Sequence, residues 1–90
     1  MNQNKLKFHL ERIEKLYPNK QKLNLGEMLN CINKSRSTFK RIIDANDLYL
    51  LPKFTKVEYY RKGNIYFTYE ADIYDICVFL SNERYEKNNA

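Results

Sequence analysis

Cysteine and histidine are scarce in this sequence, which has two cysteines and one histidine in 90 residues. Cys31 and Cys77 each fall on the apolar side of an amphipathic helical pattern, and cysteine is among the residues most often fully buried. We therefore interpret both as small core residues rather than as a disulfide pair. Because His9 is the one histidine, no zinc-ligand spacing exists. The sequence predicts neither a metal site nor a cofactor.

Long apolar runs and catalytic groupings are also missing. No stretch approaches the ~20 apolar residues that a membrane span needs, and the N-terminal MNQNKLKFHL lacks an apolar run of signal-peptide length. We therefore expect one small domain in a cytoplasmic protein, without a membrane segment. Glu70, Asp72 and Asp75 lie close together without a histidine or nucleophile beside them, so the start of a helix explains them better than catalysis. We do not expect an enzyme.

The formal net charge of +5 is unevenly distributed. Residues 1–22 carry a net +4, residues 23–69 another +4, and residues 70–90 a net −3. The excess positive charge therefore belongs to the first two thirds of the chain, where a polyanion would be met.

Residues 23–48 are predicted to form two short helices joined by a tight turn. In the first helix an apolar stripe follows Asn24, and Glu27 stands three residues after it, as in a capping box. Asn33 and Lys34 interrupt the pattern, and Ser35 is a good N-cap for a second helix over 35–46. Its buried side is expected to contain Phe39, Ile42 and Ile43, and its outer side Arg36, Ser37, Lys40, Arg41 and Asp44.

Residues 55–70 alternate with a period of two and are predicted to form a β-hairpin. The turn is placed at Arg61-Lys62-Gly63-Asn64, where glycine and asparagine tolerate a positive φ. Since an isolated hairpin is marginally stable, we expect it to pack on the helices. The tip is basic, although a lysine in such a turn can also serve solubility alone.

The remaining segments flank this unit. A helix is predicted over 4–17, ended by Pro18, and residues 19–22 form a linker; this first helix either packs across the core or makes a dimer contact. Residues 48–51 should cover the underside of the core. A last helix is predicted over about 69–85, with residues 86–90 as a frayed tail. The domain boundaries are thus 1–22, 23–85 and 86–90.

Four segments together resemble one known family. Residues 24–29 (NLGEML) and 35–43 (SRSTFKRII) look like the helix-turn-helix of the AlpA/excisionase group of MerR-like winged-helix proteins. Residues 51–54 (LPKF) resemble that family's passage into its wing, and residues 66–73 (YFTYEADI) resemble its second wing strand and the following helix. The likeness covers roughly 23–82. The turn at 31–34 lacks the family's usual glycine, and the N-terminal helix is additional.

This resemblance implies a mainly α fold with a small β-hairpin, that is, a winged helix-turn-helix with an additional N-terminal helix. It also implies a small DNA-binding regulator or recombination directionality factor of a phage or mobile element. The residues support DNA binding independently, because a basic recognition helix reads base edges in the major groove. The expected base readers are Arg36, Ser37 and Lys40, and the expected phosphate contacts include Thr38 and Arg41, although Thr38 can instead turn inward near the cap. Further DNA contacts are expected from the turn, the linker and the wing, at Lys34, Lys53, Lys56, Arg61, Lys62 and Asn64.

The sequence leaves partners other than double-stranded DNA open. The fold could be a protein-interaction module that binds a repressor, an integrase or a polymerase subunit through its aromatic wing or its N-terminal helix. A homodimer or a cooperative array along DNA could form through that same helix. RNA binding is less well supported, because the chain has neither a GxxG loop nor an aromatic strand phrase typical of RNA-binding sheets.

Overall fold

The computed structural model describes the backbone of residues 3–89 and the side chains of residues 3–82. It is a small α/β fold with four α-helices, one 3₁₀ turn and a three-stranded antiparallel sheet. In chain order the elements are α1 (Gln3–Leu16), β1 (Lys22–Asn24), α2 (Leu25–Ile32), α3 (Arg36–Ala45), the 3₁₀ turn (Leu48–Leu50), β2 (Thr55–Arg61), β3 (Asn64–Asp72) and α4 (Ile73–Asn89).

The sheet has the order β1-β3-β2, so β3 lies in its centre. The predicted hairpin of β2 and β3 is confirmed, but the expected linker 19–22 is partly wrong because Lys22 begins the additional strand β1. β3 is nine residues long and extends beyond the hairpin, and its last three residues pair with β1. Leu23 lies opposite Ala71, and both are buried. Burial of this apolar pair accounts for a strand that is only three residues long.

Local caps fix both ends of α2 and the start of α3 where the sequence predicts them, through the side chains of Asn24 and Ser35 and the backbone of Asn33. The backbone N–H of Glu27 donates to Asn24 Oδ1 at 2.9 Å, and the Asn24 N–H donates to Glu27 Oε1 at 3.1 Å, which completes the capping box. Asn33 ends α2 in the left-handed region at φ 56°. Asparagine therefore supplies the conformation for which glycine is the common residue. Ser35 then caps α3.

The core lies between the helices and the base of the sheet. Its most deeply buried side chains are Ile13, Leu23, Met28, Ile76, Pro52 and Cys77. α1 packs mainly against α4, so packing in the core accounts for its apolar stripe. His9 is buried as well, at 6% exposure. Both cysteines are buried free thiols, as expected, and burial raises the pKa of Cys77 to about 11.

Both ends of α4 differ from the sequence prediction. α4 begins at Ile73 rather than near residue 69, because residues 70–72 remain in β3 to pair with β1. Glu70 and Asp72 are therefore strand residues, although Asp72 Oδ1 accepts the N–H of Tyr74 at 2.9 Å beside the helix start. At its other end α4 reaches Asn89, so its backbone covers most of the segment expected as a tail; Ala90 lies outside the described residues.

The 3₁₀ turn also departs from expectation. Leu51 is buried under the core as predicted, and Pro52 is buried beside it, but Leu48, Tyr49 and Leu50 are exposed, Tyr49 at 73%. The 3₁₀ geometry spaces side chains every third of a turn, so this short turn cannot direct its whole apolar run to one side.

The ion pair at the start of α2 generates a pH-dependent prediction. Lys20 Nζ lies 2.6 Å from Glu27 Oε2, and this hydrogen bond, with the backbone bond from Asn24, holds the pKa of Glu27 below its ordinary value of 4.5. A depressed carboxyl pKa stabilises the fold above its unfolded-state pKa, and the contribution is lost as the pH falls through the folded-state value.

We therefore expect Glu27→Gln, which retains the capping amide oxygen, to lower the melting temperature at pH 7. The difference from the wild type should be largest at pH 7 and should diminish at low pH, as the pH falls through the lowered pKa of Glu27. Thermal melts across this range test it, with Glu58→Gln on the exposed strand β2 as the matched control. An equal loss at pH 7 and at low pH would contradict the ionic origin of the effect.

Candidate nucleic-acid interface

The outer face of α3 carries three cations and one acid. Phe39 and Ile42 face the core, while Arg36, Lys40, Arg41 and Asp44 are exposed. The helical period of 3.6 puts Arg41 on the side opposite Phe39, whereas Arg36 and Lys40, four residues apart, lie along one flank of the helix. The face is therefore accessible and basic along the ten residues of α3.

The N-terminal turn of α3 is held by a hydroxyl network. Ser35 Oγ accepts the backbone N–H of Thr38 at 3.1 Å and donates to Thr38 Oγ1 at 2.9 Å. The Ser35 and Ser37 hydroxyl oxygens are 3.1 Å apart, and Arg41 Nη2 approaches Thr38 Oγ1 at 3.5 Å. Thr38 is half-buried and bonded to the cap residue Ser35, so it takes the inward orientation that was one of its two expected orientations. Ser37 is exposed.

Arg36 does not extend straight outward from α3. Its guanidinium lies over the first turn of α2, where a Cβ added to Gly26 would come within 3.2 Å of Arg36 Nη2. A side chain at this position would require the Arg36 guanidinium to move by a few tenths of an ångström. The Arg36 side chain therefore lies at the junction of α2 and α3.

The basic tip of the hairpin is a two-residue turn with positive φ at both positions, 51° at Lys62 and 79° at Gly63. This is the type I′ geometry that matches the twist of a two-stranded hairpin. Arg61 and Lys62 are exposed there, as expected. Asn64 was expected in the turn, but it is the first residue of β3, opposite Arg61, because a two-residue turn leaves it in the ladder.

A cluster of three aromatic rings joins α3 to the base of the hairpin. The rings of Phe39, Phe54 and Tyr69 meet edge to face, with centroids 5.3 to 5.8 Å apart. Lys53 precedes Phe54 in the chain, and Lys56 lies opposite Tyr69 in the ladder. Both lysines are exposed, so two of the expected phosphate contacts lie on segments attached directly to α3.

The lysines outside α3 and the hairpin tip differ in their surroundings. Lys56 Nζ lies 3.9 Å from the centre of the Phe67 ring, a cation–π contact. Lys34, in the turn between α2 and α3, is half-buried. In the N-terminal segment, Lys20 pairs with Glu27 at 2.6 Å and Lys22 with Glu70 at 3.5 Å. These pairs offset part of the positive charge of residues 1–22.

The outer half of the hairpin has exposed aromatic surface that the sequence reasoning missed. Tyr59 and Tyr66 stack on one face with centroids 5.6 Å apart. Tyr60 is 75% exposed, Ile65 52% and Phe67 50%. The hairpin therefore packs on the helices at its base, as expected, while its outer half projects beyond them. Strand propensity predicts these residues in a sheet but does not indicate which faces are covered.

Within the described part of the chain, no helix combines the length and the apolar character required to cross a bilayer. Comparison with protein-family models, with curated proteins and with solved structures found no match to this chain.

The contact between Arg36 and Gly26 can be tested by adding one methyl group. The atom that Gly26→Ala would approach is the far end of a flexible side chain, and alanine favours the helix over glycine by about 0.5–1 kcal/mol. We expect a melting temperature a few degrees higher, measured by circular dichroism. A lower melting temperature would mean that the close approach of Arg36 stabilises the junction of the two helices.

Proposed function

We propose that this protein binds double-stranded DNA sequence-specifically as a winged helix-turn-helix, with α3 as the recognition helix and the β2–β3 hairpin as the wing. The observation that carries the proposal is the joining of two exposed basic elements by one aromatic cluster. The cations of α3 and those of the hairpin belong to one rigid arrangement, because Phe39 of α3 packs against Phe54 and Tyr69 at the hairpin base. A recognition helix in the major groove and a basic hairpin beside it would contact the backbone of double-stranded DNA at two places.

In this proposal the residues divide by role. Ser37, Lys40 and Arg36 reach base edges in the major groove, where lysine and arginine suit guanine O6 and N7. Arg36 must leave its position over Gly26 to do so. Phosphate contacts come from residues around the recognition helix and along the wing: Lys34, Thr38, Arg41, Lys53, Lys56, Arg61, Lys62 and Asn64. Six of these residues are lysine or arginine, and about six neutralised phosphates give a slope of log K against log salt near −5.

The biological role is also a proposal and rests on the family resemblance. A small regulator or a recombination directionality factor of a phage or mobile element would use this module on repeated half-sites. One copy buries little surface on DNA, so tight binding should need two or more copies.

The direct test is fluorescence-anisotropy binding to random-sequence duplex DNA at two salt concentrations, followed by sequencing of the bound fraction. We expect salt-sensitive binding and an enriched motif. Lys40→Gln with Arg41→Gln should weaken binding to that motif at least tenfold and leave the melting temperature close to that of the wild type, because both side chains are exposed. Lys5→Gln with Lys15→Gln on α1 is the charge-matched control. Normal binding by the α3 variant would contradict this assignment.

The wing tip is tested by Lys62→Asn. Asparagine tolerates the positive φ at this position better than lysine, so the hairpin should be retained or slightly stabilised while one positive charge is lost. We expect binding to weaken about equally for all duplex sequences and the salt slope to flatten by ~1. A loss confined to one sequence would instead show that the wing reads bases.

The exposed apolar surface favours a second candidate, a protein-interaction module without direct DNA readout. Besides the wing aromatics, a cavity of 360 Å³ lies between α1 and α4, lined in part by Leu6, Leu10, Tyr74 and Cys77. Absence of duplex binding at low salt would favour this candidate. An integrase, a repressor or a polymerase subunit would then be the partner class to test, with Tyr60→Ser and Tyr74→Ser as the informative variants.

A further inference from the structure

The two edges of the sheet are unequal. β1, at one edge, is three residues long and leads directly into α2, whereas β2, at the other, is seven residues long. Six of the seven β2 residues are exposed and Val57 is half-buried. A long strand at an exposed edge offers unpaired backbone groups to a further strand. The edge of β2 is therefore the place at which this sheet can be extended.

The hairpin register determines which backbone groups are available. Arg61 and Asn64 flank the two-residue turn, so they form a hydrogen-bonded pair, and bonded and non-bonded pairs alternate from there along the ladder. Lys56, Glu58 and Tyr60 are on the non-bonded pairs. Their N–H and C=O groups consequently point away from β3, toward the open edge.

We propose that two copies of this chain pair antiparallel through β2, about a two-fold axis at Val57, to form a continuous six-stranded sheet. In this register Lys56 lies opposite Glu58 of the second copy, and Glu58 opposite its Lys56. Both are positions with outward-pointing backbone groups, so the same pairs carry the new hydrogen bonds and opposite charges.

Charge selects this register over its neighbours. An axis at Glu58 would set two carboxylates directly opposite one another, and an axis at Lys56 would do the same with two ammonium groups. An axis at Tyr59 would bring Lys56 opposite Lys62 of the second copy. Like charges directly opposite each other destabilise a sheet, so the axis at Val57 is favoured.

The same register covers part of the aromatic surface of the wing. Tyr59 comes opposite Thr55 of the second copy, and Tyr60 opposite its Phe54. At each end, however, Arg61 approaches Lys53 of the second copy, and this repulsion lowers the affinity. The dimer is therefore expected to be weak, and a covalent trap is a suitable assay. The pairing does not depend on the proposed DNA binding.

The experiment is oxidative cross-linking of Val57→Cys in the full chain, read on non-reducing gels and by mass spectrometry. Cα atoms of a non-hydrogen-bonded antiparallel pair are ~4.5 Å apart, within the range that a disulfide spans. The native cysteines are buried and should remain reduced. Thr55→Cys is the matched control, because its two copies would be roughly 13 Å apart in this register, four residues at ~3.3 Å each. A mixture of Thr55→Cys and Tyr59→Cys chains should cross-link to each other.

We expect Val57→Cys to give several times more covalent dimer than Thr55→Cys. Equal yields, or no dimer from Val57→Cys, would overturn the proposal. Charge reversal at exposed positions is an independent measurement if Val57→Cys folds poorly. By sedimentation equilibrium, Glu58→Lys should weaken self-association, and Lys56→Glu combined with Glu58→Lys should restore it. Failure of the double variant to restore it would also count against the register.

A dimer formed through α1 is the alternative to pairing through β2. Phe8 and Leu16 are the exposed large apolar residues of α1, so Phe8→Ser with Leu16→Ser would reduce a dimer formed through α1. The β2 pairing predicts an unchanged cross-linking yield for Val57→Cys in this background. A loss of yield would assign the contact to α1 instead. Duplex binding and self-association measured on the wild-type chain separate the two proposals. Duplex binding without self-association would overturn only the pairing, and self-association without duplex binding would overturn only the proposed DNA binding.

Discussion

The contact of Phe39 with Phe54 and Tyr69 is the interaction on which the candidate interface depends. These three rings come from α3, from the segment before β2 and from β3, so no other described aromatic cluster links so many parts of the interface. Edge-to-face packing fixes ring orientation as well as distance. It therefore sets the position of the basic outer face of α3 relative to the hairpin.

The pairing of β1 with β3 also helps to set the position of α3, because β1 leads directly into α2 and α2 leads into α3. Leu23, opposite Ala71, holds the start of α2 against the centre of the sheet, and the Asn24–Glu27 capping box begins α2 immediately afterwards. The turn at Asn33 and the cap at Ser35 then direct α3 across the core. Each step is a local interaction of a few residues, yet together they determine which face of α3 is exposed.

Local chemistry accounts for the parts of the fold that the sequence predicts well. Asn24, Asn33 and Ser35 act within three or four residues of their partners, so their effects can be read from spacing alone. Strand β1 could not be predicted in this way, because three residues show no alternation and pair with a strand almost fifty positions later. The late start of α4 has the same cause, since the pairing of Asp72 with Lys22 is a tertiary contact.

In the candidate site, too, the features set by local spacing could be predicted and those set by tertiary packing could not. Helical periodicity places Lys40 and Arg41 on the exposed face of α3, and the turn signal at Gly63 locates the basic tip. The position of Arg36 over Gly26 depends on how two helices cross, which spacing does not determine. The exposed rings of Tyr60 and Phe67 were unexpected for a related reason. Whether a strand residue is covered depends on which element lies above it.

Amide chemical-shift mapping by NMR during addition of duplex DNA tests the central claim most directly, because it reports every backbone position at once. The account predicts that the largest shifts fall on Ser37, Lys40 and Arg41 of α3 and on Lys62 in the hairpin turn, with little change along α1. Shifts concentrated between α1 and α4, with α3 and the hairpin unchanged, would contradict it.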